Sequence, residues 1–198
     1  MRLALVLVAA MTAVAHAQAP GQVAPEPASL VMARPWSVSL SLAAMSAKPH
    51  VDGVNAVGLG AFELAGAYRL RPSIQLGLSL AGGGGENNTL STGALWANVR
   101  YRFMAEQPWN VLALGSLGVA SVYGKDAPDV ERKARGAIRI GGGVEHRWQS
   151  WAIEADLVVF AIAQNDQVPP PPAPTTEYDV ARFGLTGIAL SFGGTFYW

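Results

Sequence analysis

From Trp36 onward, apolar and polar residues alternate with a period of two. Trp36, Val38, Leu40 and Leu42 are interleaved with Ser37, Ser39 and Ser41. That period places the two sets on opposite faces of an extended strand. The same pattern returns along the chain. Phe62, Leu64, Tyr68 and Leu70 oppose Glu63, Ala65, Ala67 and Arg69, and Ile74, Leu76, Leu78 and Leu80 oppose Gln75, Gly77 and Ser79. Leu95, Val99, Tyr101 and Phe103 oppose Trp96, Asn98, Arg100 and Arg102. Ile138, Ile140, Val144 and Trp148 oppose Arg139, Glu145 and Arg147; Trp151, Ile153, Leu157 and Val159 oppose Glu154 and Asp156. Ile188, Leu190, Phe192, Phe196 and Trp198 oppose Ser191, Thr195 and Tyr197. Residues 109–123 are the ambiguous segment, because Leu112 and Leu114 compete with Trp109, Val111 and Leu117 for the apolar face. The pattern predicts eight strands, seven of them sharply defined.

The connections alternate in length. Arg71-Pro72-Ser73, Met104 to Pro108 and Gln149-Ser150 are tight, whereas those near 45–56, 82–91, 124–134 and 164–179 are longer and carry Gly, Asn, Asp or Pro. Consecutive strands joined this way run up and down beside one another. Composition then decides what surrounds them. Hydrophobic residues make up 51% of the chain and charged residues only 14%, against about 25% charged in soluble domains. No stretch after the N-terminus approaches the ~18 uninterrupted apolar residues of a membrane helix. Lys48, Lys125 and Lys133 all fall in the expected loops; a soluble, lipocalin-like barrel would instead place lysines on the solvent face of its strands. The expected fold is therefore all-β, an eight-stranded antiparallel up-and-down transmembrane β-barrel. Ser, Ala, Gly and Thr dominate the polar face and suit a crowded lumen.

At the amino end Arg2 precedes an apolar run from Leu3 to Ala15, and Ala15-His16-Ala17 offers a small-any-small cleavage site. Residues 1–17 thus have the form of a signal peptide. At the other end, Ser191-Phe192-Gly193-Gly194-Thr195-Phe196-Tyr197-Trp198 reads polar, any, Gly, any, any, aromatic, any, aromatic. This stretch resembles the C-terminal signal by which bacterial outer-membrane barrels are recognised for assembly. Over residues 35–198 the chain resembles small eight-stranded outer-membrane barrels of the OmpA transmembrane-domain and opacity-protein type. The resemblance implies a Gram-negative outer-membrane location and contact with outer-membrane lipid and lipopolysaccharide. It also implies engagement of the assembly machinery through Ser191, Gly193, Phe196 and Trp198. The terminal signal marks the class rather than one family, so no other functional residue carries over. In that topology residues 18–34, with Pro20, Pro25 and Pro27, form a disordered periplasmic segment, residues 35–198 form the barrel, and the tight turns face the periplasm.

Candidate chemistry follows from parity and depth. Trp36, Tyr68, Tyr101, Phe103, Trp109, Trp148, Trp151 and Trp198 fall at periplasmic strand ends on the outer face, the position of an aromatic girdle. Glu63, Arg69, Arg100, Arg102, Glu145, Arg147, Glu154 and Asp156 project inward near that end. The interior of an eight-stranded barrel is just wide enough for side chains to fill, and charges there must pair. A two-residue turn at Gln149-Ser150 sets Glu145 directly opposite Glu154, a repulsive pair unless a cation intervenes. Arg147 lies diagonally from Glu154, and Arg100 or Arg102 can reach across. The expectation is a salt-bridge cluster that closes the lumen, either as a static brace or as a gate.

Other chemistries find little support. The histidines are His16 in the leader, His50 in the first long loop and His146 on the outer face near the periplasmic end. His50 with Asp52 and Ser46 lacks the spacing of a catalytic triad, and His146 reads as an interfacial ring beside Trp148 and Trp151. No enzymatic activity and no catalytic residue are expected. Asp126, Asp129 and Glu131, or Asp166, Glu177 and Asp179, follow no ordered ligand spacing, so neither metal nor cofactor is expected. Gly82 to Gly85 lacks the Lys-Ser/Thr of a phosphate loop and reads as a hairpin tip; Gly141-Gly142-Gly143 lies within a strand. Zero cysteines exclude a disulfide framework, and 14 basic against 14 acidic residues leave no electrostatic footprint for nucleic acid. The leading expectation is a non-enzymatic barrel with a structural role in the envelope and surface-exposed loops. The alternatives are a narrow or gated pore for ions or small solutes, and a surface adhesin or receptor acting through the long loops, among them the Pro-rich Val168 to Pro174 segment.

Overall fold

The computed structural model describes residues 33–50, 55–85, 90–124, 133–164 and 184–198. They form eight strands: β1 Trp36–Pro49, β2 Val57–Arg71, β3 Ile74–Gly85, β4 Leu90–Arg102, β5 Trp109–Gly124, β6 Arg135–Arg147, β7 Trp151–Ile162 and β8 Leu185–Tyr197. Each pairs antiparallel with its sequence neighbours, and β1 pairs with β8 to close the barrel. The seam runs from Ser37 opposite Tyr197 to Pro49 opposite Leu185. It ends in a mutual pair of backbone bonds, Trp36 N–H to Trp198 C=O at 3.2 Å and the reverse at 3.1 Å. Closure leaves no strand edge unpaired, the condition for crossing lipid with strands. At 12 to 16 residues, the strands exceed the ~9–11 that a membrane crossing needs.

The two faces follow the alternation. Leu42 is 70% exposed, Leu117 65%, and Leu40, Leu78, Ile140 and Phe192 are similarly open on the outer surface. A contiguous apolar exterior of this kind is stable against acyl chains and not against water. On β5 the ambiguity resolves: Leu112 and Leu114 point inward and are buried, while Val111, Leu117 and Val119 face out.

Two expectations about the connections need correction. The strands run further than the alternation suggested at the end opposite the tight turns. Lys48 lies within β1, exposed on its outer face, rather than in a loop, and Gly82 to Gly85 belong to β3 rather than to a hairpin tip. Glycine's weak strand preference is overridden there because β3 is paired on both sides, Gly82 opposite Phe62 of β2 and Gly93 of β4. The Gly141–Gly143 run lies inside β6 as expected. The expected leader, most of the N-terminal segment, Asp52, Lys125, the two acidic loop groups and the Pro-rich segment lie outside the described residues.

The lumen is divided along its axis. Toward the tight turns it holds arginines, carboxylates, hydroxyls and Tyr197. Toward the other end it holds an apolar cluster that includes Val57, Leu59, Leu90, Trp96, Val122, Ile162 and Leu185.

Candidate functional site

The charged half is assembled by parity from β2, β4, β6, β7 and β8. Arg100 and Arg102, two residues apart on β4, necessarily share the inner face. β6 contributes Glu145 and Arg147, and β7 contributes Glu154 and Asp156. The Gln149-Ser150 hairpin is tight, with Trp148 N–H donating to Trp151 C=O at 2.8 Å, and it sets Glu145 directly opposite Glu154. Two adjacent carboxylates in a confined interior require cations, and β4 supplies one for each from across the lumen.

Arg102 meets Glu145 in a two-pronged bond, Nε to Oε1 and Nη2 to Oε2, both at 3.0 Å. Both side chains are fully buried. The Tyr197 hydroxyl donates to Glu145 Oε2 at 2.7 Å and accepts from Arg102 Nη2 at 3.0 Å. Arg69 and Arg147 lie over the Tyr197 ring, their guanidinium carbons 5.0 and 4.7 Å from its centroid. The ring face is the negative pole of its quadrupole and so attracts both. Tyr197 therefore ties the carboxylate and three arginines into one buried unit at the tight-turn end.

One tier higher, Arg100 serves two carboxylates. Its Nη1 pairs with Glu154 Oε2, while its Nη2 reaches Glu154 Oε1 at 3.1 Å and Asp156 Oδ2 at 3.4 Å. Above that, Arg139 grips Glu63 through two bonds of 2.6 Å. Its remaining donors go to Ser116 Oγ and Asn98 Oδ1, each at 2.9 Å, and its guanidinium carbon stacks 4.7 Å over the Trp96 ring. Asn98 in turn donates to Ser79 Oγ at 2.9 Å.

All eight residues expected in the cluster thus face the lumen, but they form stacked tiers rather than one layer. Glu63 was expected at the depth of the periplasmic charges; its partner is Arg139, higher up. Arg139 and Tyr197 lie outside the expected set, although both carry the inward parity of their strands. Depth alone separated Arg139 from Glu145 and Arg147 in the sequence. Tyr197 was expected on the inner face but carries no charge, so the expectation that lumen charges must pair did not include it.

On the outside, the expected girdle residues line the rim at the tight-turn end and touch in groups. Trp36 and Tyr68 have ring centroids 4.7 Å apart, Tyr101 and Phe103 5.0 Å, and Trp148 and Trp151 stack at 4.1 Å. His146 fits between Trp109 and Trp148 at 4.3 Å from each, and Phe196 stacks on Trp198 at 6.1 Å. The sixth tryptophan, Trp96, is the one inside the lumen. His50, at the opposite end, contacts the Thr186 hydroxyl at 3.3 Å, while Ser46 faces outward. Among the described residues no group of three histidine, aspartate or glutamate side chains could hold a metal ion.

The class defined by closed topology, apolar exterior and an interior lined by side chains is the small transmembrane β-barrel. Solved structures place it more narrowly. The chain is similar in fold to the Neisserial surface protein A (TM-score 0.60, 14% identity, 82% of this chain and 97% of that one). It is similar also to Ail, the attachment invasion locus protein of Yersinia pestis (TM-score 0.50, 14% identity, 83% and 99%). The outer-membrane enzyme PagL shares the fold too (TM-score 0.50, 12% identity, 79% and 97%). No protein-family model matches the chain and no curated protein matches it. The fold is that of the small eight-stranded outer-membrane barrels.

Proposed function

We propose that this chain is a non-enzymatic outer-membrane β-barrel with a structural role in the cell envelope. Its lumen is closed at the periplasmic end by the arginine–carboxylate tiers, and its loops are free for surface contact. The observation that carries this reading is the Arg102–Glu145 pair, which crosses the lumen with both side chains fully buried. The pair reaches across the axis and Tyr197 bonds to both of its members, which supports closure at this depth. Each carboxylate of the tiers has an arginine beside it, Glu145 with Arg102, Glu154 and Asp156 with Arg100, and Glu63 with Arg139, which supports a brace because an unpaired buried ion costs several kcal/mol. The leader directs export and is removed, and the C-terminal residues Ser191, Gly193, Phe196 and Trp198 engage the assembly machinery. The girdle seats the barrel at the inner lipid interface.

PagL is an enzyme on the same fold, so catalysis is set aside on the residues of this chain rather than on its architecture. His146 is held between tryptophans, and the recorded partner of His50 is a threonine, with no carboxylate beside it among the described residues. Among the described residues no nucleophile–base–acid arrangement is assembled at either histidine.

Planar-bilayer conductance of the refolded chain, with heat-modifiable migration as proof of folding, tests the proposal. Silence is the expected result. Discrete, reproducible openings would replace it with the gated-pore reading, in which Arg100→Ala or Arg147→Ala raises conductance further.

A further inference from the structure

The outer half of the lumen contains empty space that the sequence has arranged. Barrel interiors in this class are polar; here a cavity of about 110 Å³ runs along the lumen from Ser37, Gln75 and Thr195 past Arg100 and Asp156, and its outer part is lined by Met45, Trp96, Leu114, Val158 and Phe160 with alanines of β1, β2 and β4, including Ala43, Ala61 and Ala94. The two large rings do not fill it, because each is laid against a glycine of the neighbouring strand. A Cβ on Gly118 would stand 2.9 Å from Cε3 of Trp96 and 2.1 Å from the Leu95 carbonyl oxygen; one on Gly187 would stand 2.6 Å from Cζ of Phe160 and 2.3 Å from the Ser46 carbonyl oxygen. Glycine at both positions lets the rings lie flat and keeps the axis open. Small residues that read as suiting a crowded lumen instead leave it partly empty.

We propose that this cavity binds a small uncharged molecule with an apolar body, about the size of a single aromatic ring. The size follows from comparison: an apolar cavity of ~150 Å³ stays dry and takes up benzene. The absence of charge follows from the pairing of the charges that border it. Glu63 and Arg139 neutralise each other through two bonds, with Ser116 and Asn98 also bound to Arg139. Further toward the tight turns Arg100 and Asp156, which also border the cavity, face each other at 3.4 Å. Between the apolar part and these pairs the cavity passes the hydroxyls of Ser39, Ser41 and Ser191, which can receive one polar substituent. Trp96 and Phe160 supply aromatic walls for the body.

The methionines provide the test. Met45 lines the cavity, whereas Met104 is 42% exposed beyond the periplasmic end of β4. The chain is labelled with ¹³C-methyl methionine, refolded in micelles and titrated with toluene. The expected result is a saturable shift of the Met45 methyl resonance with no more than a linear drift at Met104, which reports partition into detergent. Ala61→Leu, or Ala94→Leu if the first does not fold, fills the cavity and should abolish the saturable shift. A Met45 response that merely parallels Met104, or one that survives in a folded cavity-filled variant, would overturn the proposal. The outcome is independent of whether the barrel conducts.

Discussion

The two halves of the lumen share one backbone and one alternation yet are filled by opposite means. In the half toward the tight turns, long charged side chains cross the axis and meet partners from strands they are not hydrogen-bonded to: β4 to β6, β4 to β7, β6 to β2. In the outer half, apolar side chains gather at the walls and at the far end and leave space between. Pairing across the axis and packing of the interior are thus separable in a barrel. Charges cross the lumen because they must find one another, and their partners fix where they go. Apolar groups need only leave water, and shape alone determines how completely they fill the space.

Removing one member of the buried pair should have the largest effect. Arg102→Ala leaves Glu145 without its main cation and should cost about 3–5 kcal/mol in urea-induced unfolding from vesicles. The double variant Arg102→Met/Glu145→Leu should recover most of that loss, since well-packed apolar replacements of a buried pair are often neutral. If the double variant is as unstable as the single one, the charges do more than satisfy each other. In the outer half, Leu59→Ala should cost about 2 kcal/mol, the low end for such a truncation. Leu59 already borders the cavity and gives up fewer contacts than a fully packed leucine. A loss as large as that of Arg102→Ala would erase the contrast between the halves. Tyr197→Phe keeps the ring beneath Arg69 and Arg147 but removes the hydroxyl bonds to Glu145 and Arg102, for about 1.5 kcal/mol. Trp148→Ala on the rim should cost least, about 1 kcal/mol or less, from the stacked contact with Trp151; the same unfolding assay ranks all four.

The fold was largely legible because alternation is a local property, and a strand with one lipid face writes it plainly. It failed on β5 for a reason the structure supplies. The lumen positions of β5 include Leu112, Leu114, Ala120 and Val122, all buried, so both faces of that strand are apolar and hydrophobicity cannot tell them apart. Asn110 and Ser116 share the parity of Leu112 and Leu114 and are buried with them; they were the available clue. The inward set of charges was legible for the same local reason, and so was the Glu145–Glu154 opposition, which one tight turn determines. Pairing across the lumen was not. Arg139 finds Glu63 through the reach of two side chains from strands four apart, a matter of depth that no single strand records. The cavity was illegible too, since an alanine in a crowded lumen and an alanine beside a void look alike in sequence.

The central claim is that the Arg102–Glu145 tier shuts the lumen to water. Hydrogen exchange of the arginine side-chain Nε–H groups in the ¹⁵N-labelled, refolded barrel tests it most directly. Arg102 is fully buried, whereas the Arg100 side chain is 22% exposed. If the tier is closed, Arg102 Nε–H is strongly protected, more so than Arg100. Exchange at Arg102 as fast as in an exposed arginine would mean that water reaches the pair, and the Arg102–Glu145 tier would not be a seal.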